Sequence, residues 1–277
     1  MTLSARNAVF KGGMVFSFLC LLVCIAVSKT VIPVYPSMEP EITHRTMGVF
    51  NIIFERFMNA RLLAVHCNIS VSVLLSFLSV VFIYFSFEKT QSPEILFVAF
   101  FAVSFSPEIL RLILPLSRVY EIPSLYLLIA SRIILFFRCF GIFSLFTASI
   151  YAVGFEVQKQ RNSVIIITVT AMVIAIGVPV DTHAWNSGLN MISGYTSMFR
   201  LIEAGIFLLT TAGFFIAAWL HKSSRFALIG AGSVLVFIGR NIILTSDTWA
   251  GPLAAAVCLV IGIRLICKKL HKIYLWL

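Results

Sequence analysis

Charge is scarce in this sequence. Only 12% of the 277 residues are charged, and the acids are fewer still, eleven against 21 Lys and Arg. A soluble domain carries about 25% charged residues, so a water-facing surface cannot be built from what is here. Catalytic signatures are missing too. No His-Glu-x-x-His, Gly-x-Ser-x-Gly or Walker sequence occurs, which removes the commonest zinc-hydrolase, serine-hydrolase and nucleotide-binding readings. The six cysteines show no paired metal-type spacing and no disulfide framework, so they read as small buried hydrophobes. Short alternating apolar and polar segments are lacking, which argues against a β-barrel. The formal net charge is +10, but no basic face with interleaved aromatics accompanies it, so no nucleic-acid partner is expected. No metal and no cofactor is expected either. A haem would need facing histidines in the core, and only His66 lies close to it.

Apolar residues make up 60% of the chain, and they fall in long runs. A helix of about 20 apolar residues crosses a bilayer and satisfies its own backbone. The sequence therefore predicts an all-α polytopic bundle forming a single integral membrane domain over 1–277. About eight spans lie near 14–34, 63–87, 94–116, 124–153, 164–180, 197–220, 226–244 and 250–267. The lipid bilayer is the first partner. Arg6 and Lys11, followed by an apolar run and the small residues Ala26 and Ser28, also imitate a signal peptide. Cleavage there would leave seven spans. No soluble module is expected after the last span.

Cationic residues mark cytoplasmic loops. Arg6 and Lys11, Lys89, Lys159 and Arg161, Lys222 and Arg225, and Lys268, Lys269 and Lys272 fall in alternate connections. The connections at 181–193 and 245–251 contain neither Lys nor Arg. This predicts both termini inside. The first outer loop departs from the rule, with Arg45, Arg56 and Arg61 offset by Glu39, Glu41 and Glu55. Within it, residues 48–61 read as an amphipathic interfacial helix or as a protruding start of the second span. The tail from Lys268 suits the inner interface, where Tyr and Trp anchor and Lys meets anionic lipid.

Intramembrane charges are costly, about 2.5–3.5 kcal/mol each on insertion scales, yet several are kept. Glu108 and Arg111 fall in the third span, Arg132 and Arg138 in the fourth, Arg200 and Glu203 in the sixth and Arg240 in the seventh. Lys29 lies near the end of the first. Nearly all belong to the outer half, below Asp181, His183, Trp185 and Asp247, and the inner half reads as nearly charge-free. Glu108 with Arg111, and Arg200 with Glu203, are spaced to pair on one helical face. Pro107 is expected to break the third span beside its charges.

Bases outnumber acids in this cluster. A structural ion network holding the bundle is one reading of the cluster, and snorkelling to the interface is another. The surplus suits an anionic ligand or lipid head group, which Arg binds in bidentate fashion. The expected site is Glu108, Arg111, Arg132, Arg200, Glu203, Arg240, Asp181 and Asp247, in a sensor-like or accessory component. A small secondary transporter of an anionic solute and a membrane-embedded enzyme acting on lipid are the rival readings. Asp181, His183 and Asp247 would be the enzyme's acid–base or metal set, but their spacing does not call for one.

The closing stretch has Gly239-Arg240 in the seventh span and the tail His271-Lys272-Ile273-Tyr274-Leu275-Trp276-Leu277. It resembles uncharacterised multi-pass membrane proteins of spirochaetes over the last two helices. The resemblance implies a bacterial inner membrane and transfers no activity and no site.

Overall fold

A computed structural model describes residues 3–38, 61–88 and 92–274. Most of the expected interfacial helix at 48–61, the loop charges Glu39, Glu41, Arg45, Glu55, Arg56 and Lys89, and the last three residues lie outside them. Among the described residues, eight helices are long and apolar enough to cross a membrane: Leu3–Val34, Leu62–Phe87, Pro93–Tyr120, Ser124–Val153, Gln160–Gly177, Thr196–Leu220, Ser224–Thr245 and Ala250–Tyr274. The chain is a multi-pass helical bundle, as its hydropathy predicts.

Contacts between helix ends show the alternation. At one end Arg6 donates to Phe87 O at 2.6 Å, His221 Nε2 meets Ala152 O at 3.2 Å and the Tyr274 hydroxyl reaches Glu94 at 2.8 Å. At the other end Asn68 donates to Ser246 O at 2.6 Å, and the Arg61 amide donates to Asp247 O at 3.0 Å. We call these the tail end and the hairpin end.

The first span begins at Leu3, well before the apolar run, because the bundle accepts Arg6 as a buried side chain. The eighth continues into the basic tail as far as Tyr274, whose hydroxyl is used inside the protein.

The third span is the centre. Its apolar stretch is 83% buried, against 17% in the first and sixth spans. It is also discontinuous: α-helix over Pro93–Val103, a 3₁₀ segment over Ser106–Leu112, then α-helix over Ile113–Tyr120. Pro107 is the cause, since it has no N–H to donate and its ring crowds the preceding turn. Carbonyls loosened at the break find hydroxyls on the second span. Ser76 donates to Ala102 O at 2.7 Å and Ser72 to Phe105 O at 3.2 Å. Ser106 bonds Ser17 at 2.8 Å and Ser76 at 2.7 Å, tying three spans together at the break. Polar groups in lipid need such partners, or the broken backbone would be too costly.

The seventh and eighth spans cross closely at small residues. A Cβ on Gly262 would lie 2.6 Å from Val236 and 2.9 Å from Gly232 O. Dispersion packing of this kind replaces the hydrophobic drive that lipid does not supply.

One element departs from the all-α expectation. Residues 181–193, read from sequence as a loop of turn formers, belong to a two-stranded antiparallel hairpin of β1 (Val180–Trp185) and β2 (Met191–Ser193). Val180 pairs with Ser193 and Asp181 with Ile192, and the register then shifts before Trp185 meets Met191. The cause lies in the fifth span. At 18 residues it is about 27 Å long, just under the thickness of the hydrocarbon core. The chain leaves the helix while still beside the fourth span and must hydrogen-bond with itself.

Candidate functional site

Glu108 is 2% exposed and sits on the 3₁₀ segment. Its carboxylate is gripped by Arg138 of the fourth span in a two-point fork, Nε to Oε1 and Nη2 to Oε2, both at 2.6 Å. Arg111 adds a longer contact at 3.5 Å to the same Oε2. Fork geometry of this kind gives the strong class of charge-assisted bond. Arg138 lies about 21 Å along the 30-residue fourth span at 1.5 Å per residue, near its middle.

The hairpin reaches down to this pair. Its tip is held by Asn186 N to Asn190 O at 2.9 Å and Asn190 N to Asn186 Oδ1 at 3.0 Å. The Arg111 guanidinium donates to Gly188 O. Arg138 also donates to Asn190 Oδ1 at 2.7 Å. Non-helical backbone survives at depth only where protein satisfies it, and these two arginines do so. Gly188 suits the approach, since a Cβ there would lie 3.1 Å from the Arg111 guanidinium and crowd it. Leu189 takes a positive φ of 55°, a conformation that costs a non-glycine residue about 1–2 kcal/mol. Its buried side chain packs with Ile109, Leu112, Leu114 and Leu127, which offsets that strain.

A second pair adjoins the first. Arg240, 3% exposed, donates to Glu203 Oε1 at 3.2 Å and to the Arg138 carbonyl at 3.3 Å. The five side chains thus run as one network: Arg111, Glu108, Arg138, Arg240 and Glu203.

The remaining expected residues lie elsewhere. Arg132 donates to Ala175 O at 2.6 Å and to Ile176 O, satisfying carbonyls that the end of the fifth span leaves free. Arg200 is exposed on the sixth span and does not pair with Glu203. Equal spacing allowed that pair, but Glu203 turns inward to Arg240 while Arg200 faces out beside Leu201. Asp181 is exposed on β1, and Asp247 is half-buried in the connection before the eighth span. Lys29 is exposed. Two features were missed. Asn190 and Gly188 carried no signal beyond an Asn-Ser-Gly turn. Arg138, noticed as an intramembrane charge but left out of the expected site, is its centre.

Between the hairpin and the third and fourth spans lies a cavity of about 60 Å³, lined by Arg111, Arg138, Ser131, Asn190 and Ser193 among others. Arg111 Nε is buried and has no hydrogen-bond partner among the described residues.

The tail end is not charge-free as expected. Arg6 and Glu94 are both buried there. Glu94 accepts from the Tyr274 hydroxyl at 2.8 Å on each oxygen and from Ser92 at 2.7 Å. It lies in the first turn of its helix, where the helix dipole favours negative charge.

Near the hairpin end His66 bridges Ser28 at 2.8 Å and Tyr35 at 3.0 Å. Ser28 also donates to Cys24 O at 2.6 Å, so its proton is committed to backbone and the cluster ties helices together. No group of His, Cys, Asp and Glu able to hold a metal occurs among the described residues. Comparison of the chain with protein-family models, with curated proteins and with solved structures finds no match.

Proposed function

We propose that this protein binds an anionic group, a carboxylate or phosphate, in the cavity beneath the hairpin, and acts as a sensor-like or accessory membrane component. The observation that carries the reading is the cavity wall. Two arginines line it while sharing one carboxylate, Arg111 buried and Arg138 half-buried, and Arg111 keeps an unbonded Nε. Across the network three guanidiniums face two carboxylates, so one positive charge is left over. An uncompensated buried charge is costly, and a bound anion offsets it. In this reading the chain sits in a bacterial inner membrane with both termini in the cytoplasm, and the cavity opens on the far side.

The test is thermal unfolding of the purified full-length protein with acetate, chloride and inorganic phosphate. Trp185, stacked under Arg118 at 5.2 Å on β1, serves as a fluorescence reporter beside the cavity. Acetate or phosphate is expected to raise the midpoint. Arg111→Lys, which keeps the charge and loses the planar guanidinium donors, is expected to weaken binding about tenfold. Absence of any response to every anion sinks the reading.

A second reading, transport of an anionic solute, draws support from the break in the third span beside Glu108, since discontinuous helices line transporter sites. Uptake of labelled acetate or phosphate into proteoliposomes separates the two. Binding without uptake excludes transport.

A further inference from the structure

Beside the cavity lies an apolar groove of about 220 Å³ between the fourth, fifth and sixth spans. Ile142, Phe143, Ile174, Met198 and Phe199 line it, and its one charged lining residue is Glu203, whose carboxylate is already held by Arg240. Cavity and groove are neighbours. Arg138 lines the first and Cys139 the second, consecutive on the fourth span. The base of the hairpin borders both, with Val180 and Ser193 lining the cavity and Val178 and Tyr195 lining the groove.

We infer that the bound anion is the carboxylate of a long-chain fatty acid, with its head in the cavity and its chain in the groove. This rests on the anion-site reading above and adds the identity of the ligand. Three observations converge on it. The network is short of one negative charge, which matches a monoanion. At about 60 Å³ the cavity holds a handful of waters, each needing roughly 10–15 Å³ on the same measure. That space fits a carboxylate and is too small for a glycerophosphate head. The groove offers a channel lined mostly by apolar side chains, with its one carboxylate already paired. Lipid tails are as apolar as the groove, so the carboxylate, not the chain, selects this ligand from the bilayer.

The test uses the full-length protein in phosphatidylcholine vesicles with a diazirine-bearing palmitic acid, followed by peptide mapping after photolysis. Label is expected on the peptides holding Ile142–Phe143 and Met198–Phe199. Excess palmitate should suppress it at least tenfold, and hexadecanol, which lacks the charge, should not. Gly177 lines the groove, and a Cβ there meets nothing within 4 Å. Gly177→Phe therefore fills the groove from open space and is expected to cut labelling tenfold while leaving stabilisation by acetate intact. Ser131→Leu narrows the cavity without breaking an ion pair and should lower both.

Label spread evenly over lipid-facing residues such as Leu19, Leu22 and Ile25 of the first span overturns the inference. So does equal competition by hexadecanol, or displacement by phosphatidylglycerol but not by palmitate. With acetate stabilisation retained, those outcomes remove the fatty acid and leave the anion site. Loss of acetate and palmitate responses together removes both.

Discussion

Two buried glutamates on one span are kept in lipid by different means. Glu108, beneath the hairpin, is met by guanidiniums at 2.6 and 3.5 Å. Glu94, about 20 Å away at the tail end of the same span by helical rise, is met by hydroxyls of Ser92 and Tyr274 and by the start of its own helix. Both are 2% exposed, so burial does not distinguish them. Their partners do. An ion network leaves a remainder of charge that can act on a ligand. A carboxyl met by hydroxyls offers no guanidinium to an anion and reads as a fastening between the third and eighth spans.

The sharpest way to break the comparison is to neutralise each acid in turn. Glu108→Gln strands Arg111 and Arg138 in the core. It is expected to cost about 3–5 kcal/mol, the usual penalty for removing one partner of a buried pair, read as a lowered unfolding midpoint in detergent. Combining it with Arg138→Gln should recover part of that loss, with a coupling of about 1–3 kcal/mol in a double-mutant cycle. Strict additivity would show that the fork contributes nothing.

Next in size is Glu203→Gln. Its carboxylate is 33% exposed and screened accordingly, so the expected loss is about 1–2 kcal/mol. Glu94→Gln keeps an oxygen for Tyr274 and should cost about 1 kcal/mol or less. If it proves as damaging as Glu108→Gln, the contrast between the ends fails. Smallest of all is Lys159→Ala. Its pair with Glu156 at 3.1 Å is exposed on both sides, and no change in midpoint is expected.

The comparison also shows what a linear sequence carries. Eight apolar runs were readable because each helix satisfies its own backbone and needs only length and hydropathy. Pro107 was readable because its effect is local. Glu108 with Arg111 was readable at a separation of three residues. Arg138 lies 30 residues from Glu108, and nothing in spacing says that two such side chains meet. Arg200 and Glu203 carry the same local signal as Glu108 and Arg111, yet tertiary packing gives Glu203 to Arg240. The hairpin was hidden because its strands are short and pair out of even register. Its place in the fold depends on where the fifth span ends, not on its own residues. Glu94 stands at the start of an apolar run with nothing to mark it, and its partner Tyr274 is 180 residues away.

The broken third span has a consequence for how the chain enters the membrane. Alone, Glu108 and Arg111 would each add about 2.5–3.5 kcal/mol to its insertion, and their mutual contact at 3.5 Å is a loose one. Only Arg138 completes the fork, and it arrives with the fourth span. Only residues 121–123 separate the two spans. The third therefore has reason to linger at the translocon until the fourth emerges, so that the two enter lipid with Glu108 already in its fork. Such an order of assembly would make the Glu108–Arg138 fork a checkpoint in biogenesis as well as a tie between spans.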